Sequence, residues 1–181
     1  MGCLGDIHVV VYFTPIKMKN LILLSCLLFV SGKANAQENV LKGSWKMKGI
    51  HWKTAYTTYS IHKAEPGIFF FTDKSYAIMW TPSDRPRVPF KVLSKPTDEE
   101  LMAGFRSVVF NAGSYTYTDS TATATAFIAK VPGFEGGRQF YRYHLKGEVL
   151  SLTMFDETYP DGTKPEWFGR YVTEFVLERI D

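Results

Sequence analysis

A metal site or a nucleophilic triad in this chain would be built on His51, His62 and His144, the histidines downstream of residue 36. None of the three stands two or four residues from another, so neither a strand nor a helix presents an adjacent pair to one ion. No Gly-x-Ser-x-Gly elbow occurs, and no glycine-rich loop opens a helix to cradle a phosphate. The run GFEGGR, from Gly133 to Arg138, links two strand-like segments and reads as a turn. The acid pairs Glu99/Glu100 and Asp156/Glu157 read as a solvated helix start and a turn. These patterns assign no catalytic residue, no metal site and no cofactor. The most specific polar cluster is Asp84-Arg85-Pro86-Arg87. Its plain reading is an Asp84 turn with solvated arginines. Its functional reading puts Arg85 and Arg87 at a cavity mouth, where a guanidinium could meet a carboxylate.

Tyrosine is the other unusual resource, and its placement depends on strands. Candidate strands run over 44–53, 55–62, 67–72, 75–81, 113–118, 121–131, 138–146, 149–156 and 168–180. Each is rich in aromatic and β-branched residues and is bounded by turn chemistry such as Asp73-Lys74, Asp119-Ser120 and Gly147-Glu148. Short strands joined by tight hairpins predict a mainly β, antiparallel sandwich or barrel. Folding about Asp73-Lys74 pairs Phe71 with Tyr76 and Phe69 with Ile78, so both pairs share one apolar face with Trp80. The same alternation sends Tyr115, Tyr117, Tyr141, Tyr143, Leu145, Leu150, Leu152, Met154, Tyr171, Thr173, Phe175 and Leu177 inward. Buried tyrosine hydroxyls need partners. The belt therefore predicts a cavity lined by Phe69, Phe71, Trp80, Tyr115, Tyr117, Tyr141, Tyr143, Met154, Tyr171 and Thr173, with a packed core as the alternative.

One helix is expected over about 97–110. Thr97 and Glu100 form a capping box, and Leu101, Phe105, Val108 and Val109 recur at helical spacing, a stripe to be laid on the sheet. The preceding link, Pro82 to Pro96, holds four prolines and reads as a long functional loop.

The N-terminal part reads as removable. Residues 1–17 match no targeting pattern and look like an extension upstream of a true start at Met18. Residues 18–36 then have a basic head (Lys19, Asn20), an apolar core (LILLSCLLFV) and an Ala34-x-Ala36 cleavage pattern, the anatomy of a signal peptide. That core is too short for a bilayer, which needs about 20 residues. Leu23 to Cys26 loosely resembles a lipidation box, but the apolar residues after Cys26 leave no polar tether. The expected mature domain is 37–181, periplasmic or secreted, with no stable membrane insertion. Of 21 basic and 18 acidic residues, three and one lie before residue 37, leaving 18 and 17 and a net charge of +1. That balance argues for no nucleic-acid partner. Cys3 and Cys26 both fall in the removed part, so the mature chain has no thiol for a disulfide or a metal.

In order along the chain, LKGSWKM, GIFFFTDKSYAIMW running into DRPR, TDEELMAGFRSVVFNAGSYTY, AKVPGFEGG, FYRYHLKGEVLSLT and FVLERI resemble the bacterial lipocalin-like domain proteins, small calycin-type barrels. The resemblance covers about residues 41–180. It implies a lipocalin-like antiparallel barrel of about 8–10 strands, with Gly43 and Trp45 closing the floor and Arg179 packed over the indole. Histidines that some relatives carry after GSYTY are replaced here by TATATAF. The function implied is binding of a small hydrophobic or amphipathic molecule by a monomer or homodimer. The alternatives are an isomerase or cyclase on the same barrel and a structural module with a filled interior.

Overall fold

The computed structural model describes residues 38–64 and 67–181. The expected extension at 1–17 and signal segment at 18–36 lie outside the described residues. Nine strands follow in order: β1 (Gly43–Lys53), β2 (Thr58–Ile61), β3 (Gly67–Phe71), β4 (Ser75–Trp80), β5 (Val109–Tyr117), β6 (Thr121–Ala129), β7 (Arg138–Lys146), β8 (Val149–Thr158) and β9 (Val172–Arg179). All pairings are antiparallel, and β1 closes the sheet by pairing with β9 from Trp45↔Arg179 to Lys53↔Val172.

Nine antiparallel strands cannot close on themselves, and the register resolves the conflict. Along its other edge β1 pairs first with β3 (Gly43↔Phe71 to Lys46↔Ile68) and then with β2 (Ile50↔Ile61 to Lys53↔Thr58). β2 and β3 are therefore successive stretches of one neighbour of β1, and the ring has eight members.

Alternation sorts the side chains. Trp45, Met47, Ile50, Phe69, Leu150, Leu152, Phe175 and Leu177 are almost wholly buried and fill the barrel from the end where β1 begins. Each contributes about 1.5–3 kcal/mol by leaving water. Phe69 packs on Phe175 with ring centroids 5.1 Å apart, and Trp80 meets Phe175 at 5.2 Å.

Three β-bulges break the alternation. The register skips Lys48 in β1, Phe127 in β6 and Phe155 in β8. A bulge puts two residues opposite one and reverses the phase beyond it. Gly113 makes the β6 bulge possible, because a Cβ there would lie 1.9 Å from the Thr125 carbonyl oxygen and 2.9 Å from the Phe127 nitrogen.

The helix, α1, spans Asp98–Arg106. Its capping box is present: the Thr97 hydroxyl accepts from the Glu100 N–H at 3.3 Å, and the Glu100 carboxylate accepts from the Thr97 N–H at 2.9 Å. It ends earlier than expected, because Val109 and Phe110 pair with Trp80 and Met79 and open β5. A β-branched valine followed by an aromatic residue suits a strand better than a helix end. No residue of α1 is buried, and Leu101 and Phe105 remain about half exposed. The expected burial of its apolar stripe on the sheet is thus corrected. No described helix is long and apolar enough to cross a membrane.

Candidate functional site

At the end where β1 and β3 meet, the barrel is plugged. The Trp45 indole is fully buried and donates from Nε1 to the Leu41 carbonyl at 2.7 Å. The Arg179 guanidinium lies 4.2 Å from the ring centroid and donates to the carbonyls of Lys42 (2.9 Å) and Val40 (3.3 Å). Gly43 runs beside it at φ +136°, where a Cβ would stand 2.4 Å from Arg179 Nη1. The approach needs glycine. These three residues brace the fold.

The aromatic belt above this floor is packed. Phe71 meets Tyr115 at 5.3 Å, Tyr115 meets Tyr117 at 5.9 Å, and Trp167 stacks on Tyr171 at 5.7 Å. Phe69, Phe71, Tyr115, Tyr141, Tyr143 and Thr173 are buried, and Trp80, Tyr117, Met154 and Tyr171 are partly so. Protein groups satisfy three of the five hydroxyls that argued for a wet cavity. Tyr115 donates to the Thr72 carbonyl at 2.6 Å and accepts from Asn39 at 2.7 Å. Tyr143 donates to the Thr118 carbonyl, and Tyr141 donates to Gln139 Oε1 at 2.9 Å.

A pocket of about 570 Å³ opens at the other end, where β5 and β7 begin and β6 and β8 finish. Its apolar wall includes Val109, Phe110, Ala129, Val131, Pro132 and Phe134, with Tyr159 and Pro160 from the β8–β9 connection. None of the ten residues expected to line a cavity belongs to this wall. Arg85 and Arg87 are not part of it either. Both are exposed, and Arg87 Nε donates to the Ser107 hydroxyl at 2.9 Å.

The base of the pocket is polar, and three strands build it. Gln139 of β7 donates from Nε2 to the Glu157 carboxylate of β8 at 2.7 Å. Gln139 Oε1 accepts from the Tyr141 hydroxyl at 2.9 Å and from Asn111 Nδ2 of β5 at 3.3 Å. Asn111 is 4% exposed, and its Oδ1 has no hydrogen-bond partner among the described residues. Burial holds the Glu157 carboxyl above the usual carboxylate range, opposed by hydrogen bonds from Gln139 and the Trp167 side chain and reinforced by the neighbouring Asp156 charge. Burial also raises the Tyr76 and Tyr141 hydroxyls well above the ordinary phenol range.

The β8 bulge explains this placement. Strict alternation from Leu150, Leu152 and Met154 sends residue 156 inward and 157 out. With Phe155 looped out, Gln139 faces Glu157 and Phe140 faces Asp156, so Glu157 points into the barrel. Asp156 points outward instead and pairs with Lys164 at 2.6 Å, tying down the connection that carries Trp167. The reading of Asp156/Glu157 as a turn is corrected, since both belong to β8. Gln139 lies two residues before Tyr141, and Asn111 four before Tyr115. Their phase in the sequence was already that of inward residues, which is the signal that could have found them. Among the described residues no three His, Cys, Asp or Glu side chains cluster to hold a metal.

A solved structure of an uncharacterized protein from Bacteroides eggerthii DSM 20697 is similar at 11% identity and a TM-score of 0.39, over 77% of this chain and 99% of that one. Among curated proteins none matches. A family model described as a lipocalin-like domain matches residues 42–173, from the start of β1 into β9. The chain belongs to the lipocalin-like domain family.

Proposed function

We propose that this chain binds a small amphipathic molecule in the pocket beside Asn111 and Glu157. The observation that carries the reading is a mostly apolar site of about 570 Å³ with a buried acceptor, Asn111 Oδ1, that no described residue satisfies. The volume falls in the range of small-molecule sites, about 300–1,000 Å³. A buried polar atom without a partner costs on the order of 1–3 kcal/mol, which a ligand donor would recover. On this reading the ligand sits at the open end of the barrel and not among Tyr115, Tyr117 and Tyr143, whose rings are largely buried. The test is a thermal-shift screen of small amphipaths against the wild type and an Ala129→Trp variant, which places an indole in the pocket wall. A ligand at 100 times its Kd should add about 2.7 kcal/mol of stability to the wild type and nothing to the variant. Equal stabilisation of both would place binding elsewhere.

A second reading rests on the Glu157 carboxyl itself. A buried carboxyl held above its ordinary range beside an open pocket has the properties of a general acid or base, which would suit an isomerase or cyclase. Turnover that disappears in Glu157→Gln while ligand binding persists would favour it. We further propose that the protein is exported after cleavage at Ala36, on the strength of the basic head, the short apolar core and the Ala34-x-Ala36 pattern.

A further inference from the structure

The ligand class follows from which hydrogen-bonding roles are already taken at the base of the pocket. An ionised carboxylate only accepts, so Gln139 must turn Nε2 towards Glu157. That choice leaves Gln139 Oε1 to accept, and it receives both the Tyr141 hydroxyl and Asn111 Nδ2. The Asn111 amide is thereby oriented with its oxygen as the spare end, unpartnered on a side chain that is 4% exposed. Each donor group at the base already serves the network, Gln139 Nε2 on Glu157, Asn111 Nδ2 and the Tyr141 hydroxyl on Gln139 Oε1, while Asn111 Oδ1 and the carboxylate remain as acceptors. The cation on the pocket wall is turned away: Lys130 Nζ donates to the Phe105 carbonyl at 3.0 Å and lies 4.5 Å from the Phe105 ring centroid. Asp161, also on the wall, accepts from Thr163.

Building on the pocket reading above, we infer that the site takes an organic ammonium, its N–H donors on Asn111 Oδ1 and the Glu157 carboxylate and its apolar body against Val109, Phe110, Val131 and Phe134. A carboxylate head would meet like charge and a second acceptor there. A neutral alcohol could satisfy one acceptor but would leave the buried charge uncompensated.

Glu157 also sets a pH dependence. The groups facing it are Gln139, Tyr141 and Tyr76 from the barrel, Asp156 on its own strand, and Trp167, Tyr159 and Tyr171 from the connection to β9. The four tyrosines and the indole stay neutral through the acid range, so loss of ammonium binding on acidification reports the Glu157 carboxyl, modulated by Asp156.

The probes are hexylammonium, hexanoate and 1-hexanol, titrated into the full chain and followed by amide chemical shifts, including the side-chain amides of Asn111 and Gln139. At pH 7 hexylammonium should shift those signals with a Kd about tenfold or more below that of either matched probe. Glu157→Gln and Asn111→Leu should each weaken hexylammonium about tenfold and hexanol by clearly less, since the alcohol carries no charge and uses at most one of the two acceptors. In the wild type, which needs no variant to fold, hexylammonium affinity should fall as pH drops through the Glu157 titration and hexanol affinity should not. If hexanoate or hexanol binds as tightly as hexylammonium, the ammonium assignment is overturned and the pocket reading stands. If no probe moves residues of the pocket wall, the pocket reading fails and takes the assignment with it.

Discussion

Removing Arg179 should weaken the barrel chiefly through Trp45, and the size of that coupling can be estimated from the contacts. Trp45→Ala deletes a side chain that is 0% exposed, together with its 2.7 Å bond to the Leu41 carbonyl, and should cost about 3–5 kcal/mol. Arg179→Ala loses the cation–π contact at 4.2 Å, about 0.5–2 kcal/mol. It also loses two charge-assisted bonds to the carbonyls of Lys42 and Val40, together on the order of 1–2 kcal/mol at this half-open edge. The ion pair to Glu148, whose side chain is 72% exposed, adds about 0–1 kcal/mol. Arg179→Ala should therefore cost about 1.5–5 kcal/mol in all. Only the cation–π part vanishes with the indole, so the double variant should be less destabilised than the sum of the singles by about 0.5–2 kcal/mol. Urea unfolding followed by far-ultraviolet circular dichroism measures this without relying on the emission of a deleted tryptophan. Losses that add to within about 0.3 kcal/mol would mean that ring and guanidinium do not interact, and the account of the floor would be wrong.

Gly113→Ala should destabilise by about 3 kcal/mol or more, since its Cβ meets backbone atoms of β6 that cannot rotate away; a neutral result by urea unfolding would contradict the tight bulge at Phe127. Glu157→Gln should stabilise the ligand-free protein near neutral pH. Burial raises the native carboxyl, so the unfolded chain ionises first, near pH 4.3, and the wild type loses stability from there up to its native pKa. The difference in Tm between variant and wild type should thus open as pH rises from about 4 through the native titration of Glu157, and a difference independent of pH would refute burial as the cause. Trp167 emission should change on ligand binding, because its side chain bonds Glu157; a response that survives Trp167→Phe unchanged would assign the signal to another tryptophan. Intact mass of the exported protein should correspond to a chain beginning at Gln37, and a lipid adduct on Cys26 would overturn that cleavage site.

Local chemistry suffices for much of this molecule. Thr97 and Glu100 specify where α1 starts because a capping box is closed within four residues. The run from Phe69 to Trp80 specifies a hairpin and its inward face, since a turn at Asp73-Lys74 and a two-residue period need no distant partner. Gly43 and Trp45 could be matched to a barrel floor, but only contact across the closed sheet brings Arg179 onto the indole. Three features depend on partners far away in the chain. β2 and β3 read as two strands and act as one neighbour of β1, because their common register exists only when β1 lies alongside both. The tyrosine belt reads as a wet wall, yet carbonyls of Thr72 and Thr118 and the Gln139 amide take up three of its hydroxyls, and the period of a strand shows that Gln139 faces inward but not which hydroxyl any of these acceptors meets. Glu157 faces inward only because Phe155 is looped out of the β7–β8 ladder. A bulge is set by the pairing of two strands and by the packing on both faces, and the residues that form it carry no local preference strong enough to announce it. The convergence of Asn111, Gln139 and Glu157 from three strands is for the same reason a property of the closed barrel, reached only after long-range register has been chosen.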